Sequence, residues 1–234
     1  MTVQAYLIIV VIVLGVSMIA SAVLTYKVKK AEYNQKVKID ISFEKMYESE
    51  VKIEEFFKKN QLDKKATILE IAKVLNVKKG GTEEGLTEQA VVRECNESGG
   101  KIVYFNPNLS ENDKSFAFAH ELAHLVNGDS VPATRPSGKN KAEIEQLADY
   151  TAAALLLPLE SVYNTLEDRK YKKVSARKKL GIIRELCDTY KVSDVIVMRR
   201  IKEIYTIKQK WVYELKTARS SVELTAELFL FDIL

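Results

Sequence analysis

The spacing of apolar and polar positions changes character along this chain. Residues 5–26, AYLIIVVIVLGVSMIASAVLTY, carry no charged side chain over 22 positions and are apolar on every face through residues 7–14. A run of that length predicts a membrane-spanning helix, since about 20 apolar residues cross a bilayer. Residues 27–64 switch to a charged, helix-spaced pattern. There FEKMYESEVKIEEFFKKN (43–60) repeats apolar residues at i, i+3 and i+4, as a juxtamembrane stalk or a first packing helix would. ATILEIAKVLNV (66–77) predicts a further helix. Two short apolar-rich runs, EQAVVRE (88–94) and KIVYFN (101–106), flank Ser98-Gly99-Gly100 and read as a hairpin.

Beyond the hairpin the helical period returns. KSFAFAHELAHLVNGD (114–129) is apolar nearly all round until Asn127-Gly128 supplies a stop. KAEIEQLADYTAAALLLP (141–158) is strongly helical and ends at Pro158. The loop 129–140, with Pro132, Pro136 and Gly138, joins the two and is expected to be mobile. Two or three helices follow Pro158, including 176–190 and 193–205. LCDTYKVSDVIVMRRI reads like a helix-turn-helix, but it has no obvious base-reading residues and is taken as packing, so no direct nucleic-acid partner is expected. No internal repeat is present. The pattern predicts a mostly α protein of the α+β class with a small antiparallel sheet. Its divisions are an anchor at 1–26, a stalk or first packing helix at 27–64, a core domain at 65–205 and a helical tail at 206–234.

Charge sets an expected orientation. The first 26 residues contain no Lys or Arg and KVKK follows at once, which places the N-terminus outside and the rest of the chain in the cytoplasm. A cleaved signal peptide is the rival reading, and Ala20-Ser21-Ala22 resembles a cleavage site. Against it, the leading residues lack positive charge and the apolar run exceeds the usual ~7–15 residues. Cys95 and Cys187 lie far apart and form no disulfide framework, which suits a reducing compartment. The net charge of +4 is modest. RKYKKVSARKK (169–179) could meet anionic lipid or nucleic acid, although a solvated face is the ordinary outcome for such a run.

The chemistry lies in the first of the two apolar helices. The chain has two histidines in all, and they are His120 and His124, one helical turn apart with Glu121 between them. Residues i and i+4 share a helix face, so both imidazoles can aim at one point. This is the H-E-x-x-H arrangement of zinc peptidases, and its alternative is a pair of core histidines satisfied by single hydrogen bonds. Catalytic zinc takes three protein ligands, and with no histidine left the third must be a carboxylate. Glu145 fits, with Asp149 four residues on to orient a ligating imidazole, and Glu143 is the competitor. Glu121 is then placed to act as general acid and base. Tyr150 and Tyr163 are weak candidates for an oxyanion donor. The strand holding Val103 and Tyr104 could offer its edge to an extended peptide substrate, or the hairpin could simply cover the core.

AHELAHL followed about twenty residues later by EQLADYTAAALLLP resembles the ImmA/IrrE family of zinc metallopeptidases, within the gluzincin class and its H-E-x-x-H then E-x-x-x-D pattern. The resemblance runs over residues 65–205 and includes SGGKIVYFNPNLS and LCDTYKVSDVIVMRRIKEI. It implies a zincin-like helical domain, Zn2+ held by His120, His124 and Glu145, Glu121 as the catalytic acid and base, and Asp149 where the family often has Asn. It also implies a protein substrate, since family members act on helix-turn-helix repressors. Two functions follow as expectations. One is a zinc endopeptidase anchored through residues 5–26 and acting on a cytoplasmic protein. The other is a non-proteolytic binding or sensor module that docks a regulator, against which the intact Glu121 speaks.

Overall fold

In a computed structural model of the chain, residues 25, 27, 41–95, 99–129 and 139–218 are described. The chain divides into two compact units, Met1–Lys38 and Ile39–Leu234, and every element named below belongs to the second. The apolar segment 5–26 (Thr25 excepted), the linker 130–138 and residues 219–234 lie outside the described residues. Among the described residues no helix is long and apolar enough to cross a membrane.

Helix α1, Phe43–Lys59, starts at Ser42, whose side chain accepts from the Lys45 amide. It turns Met46, Ser49 and Phe57 into the core. Helix α2, Ile68–Val74, opens with a reciprocal capping box between Thr67 and Glu70. Three strands follow: β1 Val77–Thr82, β2 Ala90–Cys95 and β3 Gly100–Phe105. The remaining helices are α3 Glu111–Asn127, α4 Lys139–Leu156, α5 Leu159–Asp168, α6 Ala176–Tyr190 and α7 Asp194–Ala218, with a 3-10 turn at Tyr171–Lys173. The described residues thus form seven α-helices and one small sheet.

The sheet departs from the expected antiparallel hairpin. Its order is β1-β3-β2, with β2 antiparallel and β1 parallel to β3, so it is mixed. Strand β1, VKKGGT, has no alternating pattern and buries only Val77, so backbone pairing rather than side-chain burial holds it in place. Gly80 is required there, because a Cβ would meet Ile102 Cγ2 and the Val103 carbonyl at 2.8 Å. The order also corrects the expectation that β3 offers an edge. Val103 pairs with Lys79 on one side and Val92 on the other, and its side chain is fully buried. Tyr104 pairs with Val91. Among the described residues the outer strands are β1 and β2.

The core lies between this sheet and the paired helices α3 and α4, which pack on each other more extensively than any other two helices. Phe105 of β3 meets Phe118 of α3 edge to face, ring centres 6.2 Å apart. Buried alanines on both helices (Ala117, Ala119 and Ala123; Ala148, Ala152 and Ala153) let the backbones approach closely. Ser49 of α1, Thr151 of α4 and Asn127 of α3 join in a hydrogen-bonded row at 2.7 and 3.1 Å.

A charge network fastens α7 to this frame. Arg200 is 0% exposed; it donates to the Leu157 carbonyl at 3.0 Å and to Glu50 of α1 at 2.7 Å. The Tyr150 hydroxyl donates to the same Glu50 oxygen at 2.6 Å. Glu203, also fully buried, accepts from Arg199 at 3.0 Å and faces Arg200 at 3.6 Å. Burial pushes the Glu203 carboxyl above its ordinary range although both arginines pull the other way. Arg200→Ala therefore removes the cation that Glu50 and Glu203 share and leaves them only Tyr150 and Arg199. The expected loss is about 3–5 kcal/mol of unfolding free energy, read by urea denaturation. A loss below ~1 kcal/mol would show that the network does not carry the α1–α7 contact.

Candidate metal centre

Helix α3 is set at both ends. Ser110 caps its start, accepting from the Asp113 amide at 3.2 Å, and Gly128 ends it in the left-handed conformation at φ 80°. Between them, His120 and His124 stand one turn apart, their rings edge to face with centres 4.8 Å apart. His120 Nε2 and His124 Nε2 face each other at 3.1 Å. Glu145 of α4 brings Oε2 to 3.1 Å from the first nitrogen and 3.7 Å from the second. Among the described residues these three form the cluster able to hold a metal ion, all ligand atoms lying within 4.8 Å of one another.

Each histidine is turned by a carboxylate behind it. His120 Nδ1 lies 2.9 Å from Asp149 Oδ1, and His124 Nδ1 lies 2.9 Å from Asp129 Oδ2. With each Nδ1–H donated to a carboxylate, both Nε2 lone pairs point inward toward the Glu145 oxygen. Three lone pairs at such distances repel unless a proton or a cation sits among them. Tetrahedral zinc with bonds of ~2.0–2.1 Å spaces its ligand atoms about 3.3 Å apart. The observed separations bracket that value, so the donor set fits zinc.

Without a metal a proton takes that place. Burial opposes a charge on His120, but the hydrogen bonds it donates to Asp149 and Glu145 outweigh it and raise the imidazole to about 9. The nearby Glu121 charge acts in the same direction. Asp149 is lowered despite burial, through its bond to His120 and the Arg199 guanidinium 3.2 Å away.

The other candidates fall into place around this cluster. Glu121 is 7% exposed and sits beside the ligands on the same helix. Glu143 does not join them: its side chain is 54% exposed and ion-paired with Lys45 of α1. Tyr150 is spent on Glu50, in the interior, and so is not an oxyanion donor. Tyr163 packs its ring on Tyr205 at 6.3 Å, with Lys208 over its face. Sequence reasoning missed Asp129, which the turn at Gly128 folds back so that its amide also donates to the His124 carbonyl at 2.8 Å. Arg199 was missed as well, because its tie to Asp149 spans 50 residues.

Asp129→Ala should weaken zinc binding ~10–100-fold, the usual effect of removing a carboxylate behind a ligating histidine. Zinc must also displace the His120 proton, so apparent affinity should rise with pH until about 9 and then level off. The sign for stability is opposite in the metal-free protein. A raised histidine stabilises the fold fully below about 6.5, and that contribution is lost as pH climbs through about 9. Chelator competition and thermal melts across that range read the two effects separately.

Comparison with known proteins bears on the same region. The sequence model of peptidase family M78, described as an IrrE N-terminal-like domain, matches residues 82–202, just over half of the chain. The comparison with curated proteins returned no match. Among solved structures, a Mycobacterium tuberculosis transcriptional regulator is similar at 18% identity with a TM-score of 0.44, over 74% of this chain and 50% of that one. This chain therefore spans half the length of that structure. The matched interval contains β2, β3 and the helices that carry His120, His124 and Glu145, and the chain belongs to peptidase family M78, the IrrE N-terminal-like domain family.

Proposed function

We propose that this chain is a zinc-dependent endopeptidase. The observation that carries the reading is the convergence of His120 Nε2, His124 Nε2 and Glu145 Oε2 beside the buried Glu121. Membership of a peptidase family supports it. Zinc held by those three residues would lower the pKa of a bound water to about 7 and polarise a scissile carbonyl. Glu121 takes a proton from the attacking water and returns it to the departing amine. Asp149 and Asp129 keep the two imidazoles in the tautomer with Nε2 open. Strand β2 is an outer strand of the sheet order among the described residues and contacts α3, so its edge is the one proposed to receive an extended peptide. That role was expected of Val103 and Tyr104 and passes to the neighbouring strand.

The substrate we propose is a cytoplasmic protein, with a helix-turn-helix repressor as the class implied by the family resemblance. Residues 5–26 are proposed as a single membrane anchor on their length, their lack of charge and the KVKK that follows. The catalytic unit then faces the cytoplasm.

Glu121→Gln separates an enzyme from a docking module. The variant keeps the helix and all three ligands and loses only the base. Zinc content should be unchanged while peptide hydrolysis falls at least ~10²-fold. A variant that still exerts its full regulatory effect in cells would transfer the function to docking. For the anchor, full-length protein should stay with membranes through alkaline carbonate washing, and a reporter fused after Leu234 should report the cytoplasm. Recovery of mature protein starting near Val23 in the medium would replace the anchor with a cleaved leader.

A further inference from the structure

We propose that Arg199 is a positioning residue for the metal centre, clamping Asp149 so that its other oxygen stays on His120 Nδ1. The inference rests on the zinc-site reading above. Asp149 gains from a clamp because its side chain is 36% exposed, so solvent competes with His120 for this carboxylate. Arg199 Nη1 holds Oδ2 at 3.2 Å while Oδ1 remains 2.9 Å from His120 Nδ1. The guanidinium is itself fixed: its Nε donates to Glu203 Oε1 at 3.0 Å, one helical turn along α7. Glu203 is fully buried against Arg200. Arg199 has a rigid planar fork, so the two bonds on different nitrogens lock its orientation together. The rigidity of the buried α7 pair thus reaches a carboxylate on α4 and, through it, the ring on α3. His124 shows the contrast, since its carboxylate, Asp129, lies five residues away on its own chain segment and is turned into place by Gly128.

The test is a double-mutant cycle on zinc affinity. Full-length protein in detergent is stripped of metal and titrated with zinc against a chromophoric chelator. Arg199→Met should weaken binding ~10-fold or more, within the range for partners behind a metal ligand. In an Asp149→Ala background the same substitution should have no further effect, because its target is gone. Arg199→Lys keeps a cation without the fork and should recover part of the loss. A residue that merely supports the fold would instead give losses that multiply across the cycle, and that result overturns the proposal, as does Arg199→Met binding zinc like the parent. Should Arg199→Met fail to fold because Glu203 loses its partner, the pair Arg199→Met/Glu203→Gln removes that charge and is judged by the same two results. A parent chain that binds no zinc overturns the metal-centre reading itself, and this inference with it.

Discussion

Two imidazole nitrogens and a carboxylate oxygen, each with a lone pair directed at the others across 3.1 to 3.7 Å, repel one another in the absence of a proton or cation. Holding them there is the constraint around which this fold is organised. The cost is met by the packing of α3 against α4, where small side chains let two helices come close enough for donor atoms of residues 25 apart in sequence to stand 3.1 Å from each other. Phe105 on Phe118 and the Ser49–Thr151–Asn127 row fix the remaining freedom of the pair. A proton on His120 relieves the repulsion in the metal-free chain, and a divalent cation at the same place would answer all three donors at once.

A second, buried layer of charge supports the first. Asp149 connects outward to Arg199, and Arg199, Glu203 and Arg200 continue to Glu50 and Tyr150. Such a network is costly to bury and gains little net stability over apolar packing. Its value lies in geometry: it ties α1, α4 and α7 in one register around the histidine that faces Asp149.

The two helices of the candidate metal centre were legible in the sequence because their signals are local. An apolar helix with two histidines a turn apart admits few readings, and Glu145 with Asp149 four residues on repeats the same periodicity. What stayed hidden was non-local or patternless. Strand β1 has lysines and glycines where a strand pattern would show branched residues, and its parallel pairing closes across the whole of β2. Missing it made β3 look like an edge when it is central. Asp129 follows a helix stop, where the αL turn at Gly128 reverses the chain, so no helical spacing marks it. Tyr150 lies next to Asp149 in sequence yet points into the interior, as adjacent positions on a helix do.

The central claim is that His120, His124 and Glu145 hold one zinc ion. Zinc K-edge absorption spectroscopy on the full-length protein, alongside metal analysis, tests it most directly. The account predicts one zinc per chain in a shell of nitrogen and oxygen only, with the multiple-scattering signature of two imidazoles. A sulfur contribution at about 2.3 Å would place the ion on Cys95 or Cys187 and contradict it, as would a chain that retains no zinc.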